Sequence, residues 1–532
     1  MDAQPAFAGR KDAQEIYHAL EERILARDQI GASRAFYDLV RAGRPLSEIV
    51  GEAVRIHAPY THVPYHERID EGYPNFVNND HCLLSARAAL HLARMMPAKM
   101  EMLPLAQTVW YIPTGLDIWN QKMNRAPGHY TRGFSGTISD PPAPVVYWPD
   151  QDPLRENAPL RERLGHWLTL VQRGEVLPAY RTFLGLMEEP EHREEVLAEL
   201  VFAGLIDVQD RMLYNRSYTT GHKAYRARAT VELGDLLGWN NAHSVLYAGV
   251  VDMAVGPRWY STYEMACNVI KADIEGEPLH AVPYGGVSEA EAAMLRNGAP
   301  LSAAEEAALI EVLLHREEPA YIQRITELLK IGKDPRRIID AIRVAAAEIE
   351  TATHGANNFS MPMHCYEYCN TVGWFFDRFQ HPRRLRFLYV AGSFVNRTAW
   401  HQNLTGEMRP VRQTPIGTAG LEPSQLLRCL EDAICARDTA EAASLLKGYL
   451  ASAAPHGRLV QTLAVAATRL GNDPHNQEIA QCMLEDYVKS ASPLRDRLLY
   501  ACVQQTAGHR KYGDPLEASR RFGEAMGITR LQ

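Results

Sequence analysis

Apolar residues return every three to four positions along most of the chain, which is the repeat of one helix face. In 12–28 the markers are Ile16, Leu20 and Ile24, and 33–57 reads as two short helices around Gly43 and Pro45. Pro59, Pro64, Gly72 and Pro74 break the pattern over 58–78, which reads as a loop. Helix returns over 79–96 through Leu83, Ala86, Leu90 and Leu92, and over 101–121 with interruptions at Pro104 and Pro113. From 158 the helical period dominates. Leu197, Leu200, Val201 and Leu205 form one stripe, followed by stretches at 221–237, 242–254, 259–272, 302–315, 318–332, 335–350, 361–378 and 383–400. The last stretches are 424–435, 438–450, 456–470, 475–489, 495–507 and 515–525. No convincing alternating strand pattern appears, and no repeat of fixed length supports a solenoid. The pattern predicts an all-α fold, a large multi-helix single domain over 1–532, with about twenty helices.

Two long loops interrupt it. The first, 124–157, holds Pro127, Pro141, Pro142, Pro144, Pro149 and Pro153, with Tyr130, Phe134, Tyr147 and Trp148 among them. A loop of that length is a lid, a binding loop or a link, and its aromatic residues favour an ordered cover over a free linker. The plain alternative is a domain boundary. The second Gly/Pro-rich loop is 405–423. The acidic residues Glu188, Glu189 and Glu191 read as a solvated helix start.

Composition acts mainly by exclusion. Hydrophobic residues make up 46% and charged residues 23%, an ordinary globular balance. A net charge of −8 argues against a nucleic-acid partner gripped by a basic surface. No run of about 18 apolar residues suggests a membrane span, and residues 1–10 lack a secretory apolar region, so a cytoplasmic location is expected. Eight cysteines form no disulfide framework. Walker A, Rossmann, Gly-x-Ser-x-Gly and His-Glu-x-x-His signatures are absent.

Candidate chemistry lies in the histidines. At 473–478, Asp473 suits an N-cap, Pro474 the first helical position, and His475 and Glu478 share one helix face. An imidazole and a carboxylate one turn apart make half of a metal site, with the spacing of the Glu-x-x-His pairs of helical di-iron proteins in reverse order. A solvated first turn is the bland alternative. His81, His222 and His364 have the same context, each following a polar, Gly or Pro break and opening an apolar helix. Four such helix starts can converge on one centre, or can be separate core and capping histidines. His243 is a fifth candidate, with Asn241 suited to cap its helix, and Glu367 repeats the spacing of Glu478 after His364. His57, His62 and His66 read as solvated residues at or near the 58–78 loop, His354 as a loop residue, and His280 as ambiguous. Cys365 and Cys369 beside His364 lack a second cysteine pair at zinc-finger spacing, so they read as buried thiols.

A resemblance is carried by Asn79-Asp80-His81, Gly221-His222-Lys223-Ala224-Tyr225, Gly238 to Leu246, Met363-His364-Cys365 and Asp473-Pro474-His475, as an ordered set. Scattered over about 50–490, these segments resemble the long helical module found beside Rieske-type domains in some bacterial proteins. More remotely, the chain is similar to the questin-oxidase-like family. That resemblance implies O2-dependent oxidation, including ring cleavage of polycyclic aromatic compounds, at a non-haem iron held by histidines and a carboxylate made from a modified lysine. Carried over by motif, His81, His222, His364 and His475 would be the ligands. Glu478 stands where the family's last motif has lysine, so a native carboxylate would replace the modified one. His243 stands where an acidic residue is expected in the Rieske-associated module, as a further ligand or a supporting group.

The two Cys-x-His segments of a Rieske domain do not occur, so electrons would come from a separate donor or from the substrate. The leading expectation is therefore a metal-dependent oxygenase or oxidase with iron as cofactor (alternatively manganese, copper or zinc), acting on a hydrophobic or aromatic small molecule with O2. The rivals are a zinc-dependent hydrolase or lyase, and a non-catalytic helical scaffold. Homo-oligomerisation stays open.

Overall fold

The computed structural model describes residues 13–26, 28–58, 63–70, 73–77, 81–120, 151–208, 220–254, 260–276, 286–296, 298–404, 406, 420–471, 473–511 and 513–528. It is an all-α assembly, as the periodicity predicts. Helix ends fall close to the predicted punctuation. Gln29–Arg41 and Leu46–His57 flank Gly43 and Pro45, and Asp28 caps the first of them through Gly31 N. Ser302 and Glu305 form the reciprocal capping box of Ala303–His315.

Three predictions need correction. The 58–78 stretch is not only loop: strands β1 (Val63–Asp70) and β2 (Tyr73–Val77) pair antiparallel, with Val63 opposite Val77 and a register shift between Tyr65 and Ile69. Proline is tolerated there because each strand of a two-stranded sheet has an unpaired edge. The prolines of 101–121 do not divide it either, since Leu103–Asn120 is one helix. Pro104 sits in the first turn, where no N–H is needed, and Pro113 is carried inside. His57 is buried in the last turn of its helix rather than solvated. The acidic run is partly neutralised, with Glu188 paired to Arg155 and Glu189 to Arg163.

Four helices position the candidate histidines: Cys82–Ala93, His222–Leu237, Ser360–Arg378 and Pro474–Lys489. They pack on one another and are enclosed by Leu103–Asn120, Arg193–Ile206, Pro335–Ala352 and Asp496–Gly508. The Arg193–Ile206 helix approaches His222–Leu237 so closely that a Cβ on Gly204 would lie 2.8 Å from the Ala224 backbone. Their apolar sides join one continuous core that includes Leu83, Leu84, Ala224, Tyr368, Ile479 and Met483. No described helix is long and apolar enough to cross a membrane. Of the predicted lid 124–157 only 151–157 is described, a non-helical lead into Leu160–Arg173, where Leu154 N donates to Arg181 O. The 405–423 loop lies almost wholly outside the described residues, and a helix starts at Pro423.

Candidate metal centre

Each of four histidines sits at or near the start of one central helix, and local chemistry puts it there. Asp473 caps Pro474–Lys489 by accepting from His475 N, and Pro474 occupies the first helical position. The same carboxylate lies 2.7 Å from His475 Nδ1. Burial works against the Asp473 charge, but the His475 ring and its two hydrogen bonds hold the carboxyl well below the usual range. Gly221, at φ +98°, turns the chain into His222–Leu237; a Cβ there would meet the Tyr225 hydroxyl at 2.3 Å. Tyr225 Oη then reaches the carbonyls of Thr220 and His364, at 2.7 and 2.6 Å, tying two of the helix starts together. His81 is the N-cap residue of Cys82–Ala93, and its N–H donates to the Tyr111 hydroxyl at 3.3 Å. His364 lies in the first turns of Ser360–Arg378, with Nδ1 against Ser360 O.

These helix starts converge. One ring nitrogen from each of His81, His222 and His475 lies within 4.8 Å of the other two. The His364 ring lies 4.7 Å from His222 and 5.5 Å from His475, centroid to centroid, so the fourth histidine borders the same space. Glu478 is fully buried, and its Oε2 is 2.9 Å from His81 Nδ1. Glu367 shares the burial, and the Glu478 charge acts on it. The side chain of His243, which opens His243–Ala254, lies outside what is described, as do the side chains of Asn241 and His66 and the whole of His62 and His280. His354 is a loop residue, as expected, directly after Pro335–Ala352.

The donor atoms fit a metal ion. His222 Nδ1 is 3.1 Å from Thr220 Oγ1, so in His222, His364 and His475 the Nδ1 side is engaged by a neighbouring oxygen. That arrangement fixes the ring and leaves Nε2 as the atom to coordinate, as metal-binding histidines usually do. His475 Nε2 and Glu478 Oε1 are buried with no hydrogen-bond partner among the described residues. An unpaired buried polar atom is costly, and coordination removes the cost. Burial, then the Coulombic interactions with His364, Arg226, His81 and His475, pushes the His222 imidazolium well below its ordinary range, leaving the neutral ligand form. Burial raises the Glu478 carboxyl to about 8, and burial together with the Glu478 charge raises Glu367 to about 8. The cysteines at 365 and 369 belong to no metal-binding cluster among the described residues and are free buried thiols.

Several neighbours of the centre have little or no sequence signal. His509 follows Asp496–Gly508 with its ring centroid 5.9 Å from His475, and burial lowers it to about 3. Lys511 donates to Asn476 Oδ1 at 2.8 Å and is lowered by burial to about 7. Arg87 donates to Gln481 at 2.6 Å. A basic residue amid small apolar ones, as in Ala224 to Ala229, is the one clue the sequence offers to buried arginines. Comparison with protein-family models, with curated proteins and with solved structures finds no match to this chain.

Proposed function

We propose that this centre binds a divalent transition metal, iron first, and that the protein is a non-haem metal-dependent oxygenase or oxidase of a hydrophobic or aromatic small molecule. The observation that carries the reading is the convergence of His81, His222 and His475, bordered by His364, with buried donor atoms on His475 and Glu478 facing no described partner. His81, His222, His364 and His475 would hold the ion, with Glu478 either as the carboxylate ligand or as the group orienting His81. Four imidazoles and a carboxylate exceed what a tetrahedral structural zinc takes, and the set lacks thiolates, which favours iron or manganese. When bound, iron supplies redox chemistry and activation of O2. The chain's own part is to keep the His222 imidazole neutral, to fix the rings through Asp473, Thr220 and Ser360, and to exclude water with an apolar shell. Electrons would come from a separate donor or from the substrate.

One observation favours a second reading. His81, His222 and His475 taken alone are the three-histidine set of a catalytic zinc site, which would carry hydrolysis or lyase chemistry instead. Elemental analysis of protein purified without a metal-affinity tag separates the two. The expected result is near-stoichiometric iron, absent from a His222→Ala/His475→Ala double variant of unchanged helical circular dichroism, and O2 consumption with aromatic substrates. Stoichiometric zinc selects the second reading. No metal after anaerobic reconstitution leaves a helical scaffold with buried structural histidines.

A further inference from the structure

A second site lies at the far end of the Ser360–Arg378 helix. His364 is in its first turns and Arg378 at its end, about 21 Å away at roughly 1.5 Å per residue, and the chain beyond enters a cavity of about 600 Å³. Its polar walls are Arg296, Arg336, Gln380, His381 and Arg384, and no carboxylate is among its described lining residues. The three arginines come from separate segments: just past Glu289–Met294, the first turn of Pro335–Ala352, and the short turn Arg384–Arg386.

Arg384 is 8% exposed and forms no ion pair with a described residue. Its Nη1 donates to Phe379 O at 2.7 Å, with Phe376 O at 3.5 Å, which anchors the guanidinium. Burial and the nearby Arg336 charge work against this cation and the Asp377 charge offsets them only in part, yet an arginine stays charged in a protein. One carboxylate, Asp377, acts on both Arg336 and Arg384, and a buried cation whose charge is only partly met is costly unless something supplies the rest. Asp377 partly meets Arg336, at 3.2 Å, from the rim. Exposed Arg296 has no ion pair among the described residues. His381 cannot supply the missing charge: Nε2 is bound to Glu199 at 3.1 Å and Nδ1 accepts from Arg383 N at 3.3 Å, which fixes the wall. A concavity with a surplus of guanidinium groups concentrates anions.

We propose that this cavity binds the dianionic phosphoryl group of a small molecule, as free phosphate or as a phosphate monoester. A guanidinium fork takes two oxygens of a carboxylate or of a phosphoryl group alike, but three guanidiniums from three segments match the three oxygens and double charge of a phosphoryl group better than the two oxygens and single charge of a monocarboxylate. The site is separate from the histidine centre and does not depend on what that centre binds.

The test is isothermal calorimetry on the full chain with inorganic phosphate and with phenyl phosphate, against chloride at equal ionic strength. Arg296→Gln and Arg336→Gln are the variants of choice, because Arg384 also holds two backbone carbonyls. Saturable binding is expected, weakened about tenfold by each substitution and about a hundredfold by both. Tighter binding of phenyl phosphate identifies a monoester as the ligand class, and binding of inorganic phosphate alone identifies the free ion. No saturable binding of either probe overturns the proposal. So does unchanged affinity in a double variant with the circular dichroism of the parent.

Discussion

In or beside their first turns, the four central helices carry His81, His222, His364, His475 and Glu478. One to three turns further on, the same helices carry Arg87, His91, Arg228, Glu232, Asn370, Gln481 and Glu485. The two layers are equally dry and are treated in opposite ways. In the second layer nearly every charge is met. Arg228 donates to Glu485 at 2.7 Å and to Glu232 at 3.3 Å, His91 lies 2.9 Å from Glu232, and Lys489 reaches Glu485 at 2.6 Å. Asn370, Tyr366 and Arg343 surround Asp486. In the first layer, buried donor atoms on His475 and Glu478 are left open.

The carboxyls record the difference. Burial raises both kinds, but at Glu232 the charges of Arg228, His91 and Arg87 overcome it and bring the group to about 2. At Glu478 the same burial wins, and the group rises to about 8. A closed polar layer directly beneath an open one is what holds an open constellation to a fixed geometry, because the paired side chains set the register of the helices. On the proposed reading, the open layer is the one that takes a ligand the polypeptide does not itself supply.

The largest effect is expected from opening the closed layer. Arg228→Met keeps the volume but leaves Glu485 and Glu232 buried without their main partner. Removing one member of a buried pair costs about 3–5 kcal/mol, so denaturant unfolding should show a loss of that size while the folded fraction still binds metal. A loss below about 1 kcal/mol would mean the second layer does not hold the helices.

The next test separates two roles of one residue. Asn caps a helix as well as Asp does, but as a neutral amide it is a poorer partner for the His475 ring. Asp473→Asn should therefore keep the helix cap, lose the stability that the ionised carboxyl contributes in metal-free protein above its unfolded pKa, and lower metal affinity by about 10–100-fold, read by chelator competition. Equal affinity in parent and variant would remove Asp473 from the positioning of His475.

How far the sequence displays all this depends on the range of each interaction. The Pro474–Lys489 helix is written locally, since a cap, a proline and an apolar stripe lie within a few residues, and the observed boundaries match. The histidines are visible for the same reason: each opens a helix at a break. Their convergence is only an expectation from sequence, because nothing local places residue 81 beside residue 478. The closed layer is almost wholly hidden, its one clue being basic residues set among small apolar ones. Arg226 and Arg228 in an Ala-rich helix look solvated until Asp252 and Glu485, far along the chain, are brought to them. His509 escapes notice because it follows a helix end, where no periodicity applies. The β1–β2 hairpin does too, because its prolines read as breakers although they occupy a sheet that is all edge.

The smallest effect, and the sharpest, is a slope. In metal-free protein the Glu478 carboxyl is raised in the folded state, so the protonated form is the one folding favours. Its contribution is complete below the unfolded value of 4.5 and is lost as pH rises toward about 8. Glu478→Gln cannot ionise, and it also relieves Glu367 of a neighbouring negative charge. The stability of the parent relative to this variant should therefore fall between about pH 5 and 8 in metal-free protein, measured by urea unfolding at several pH values. Other buried groups, such as Asp486 and Lys511, are common to both proteins and drop out of the difference to first order. Metal binding should reverse the sign, because an ion competes with the proton for the same carboxylate and its affinity climbs over that range in the parent more than in the variant. Parallel pH profiles in both conditions would place Glu478 in the closed layer, with its charge already met, and would leave the histidines to hold any metal alone.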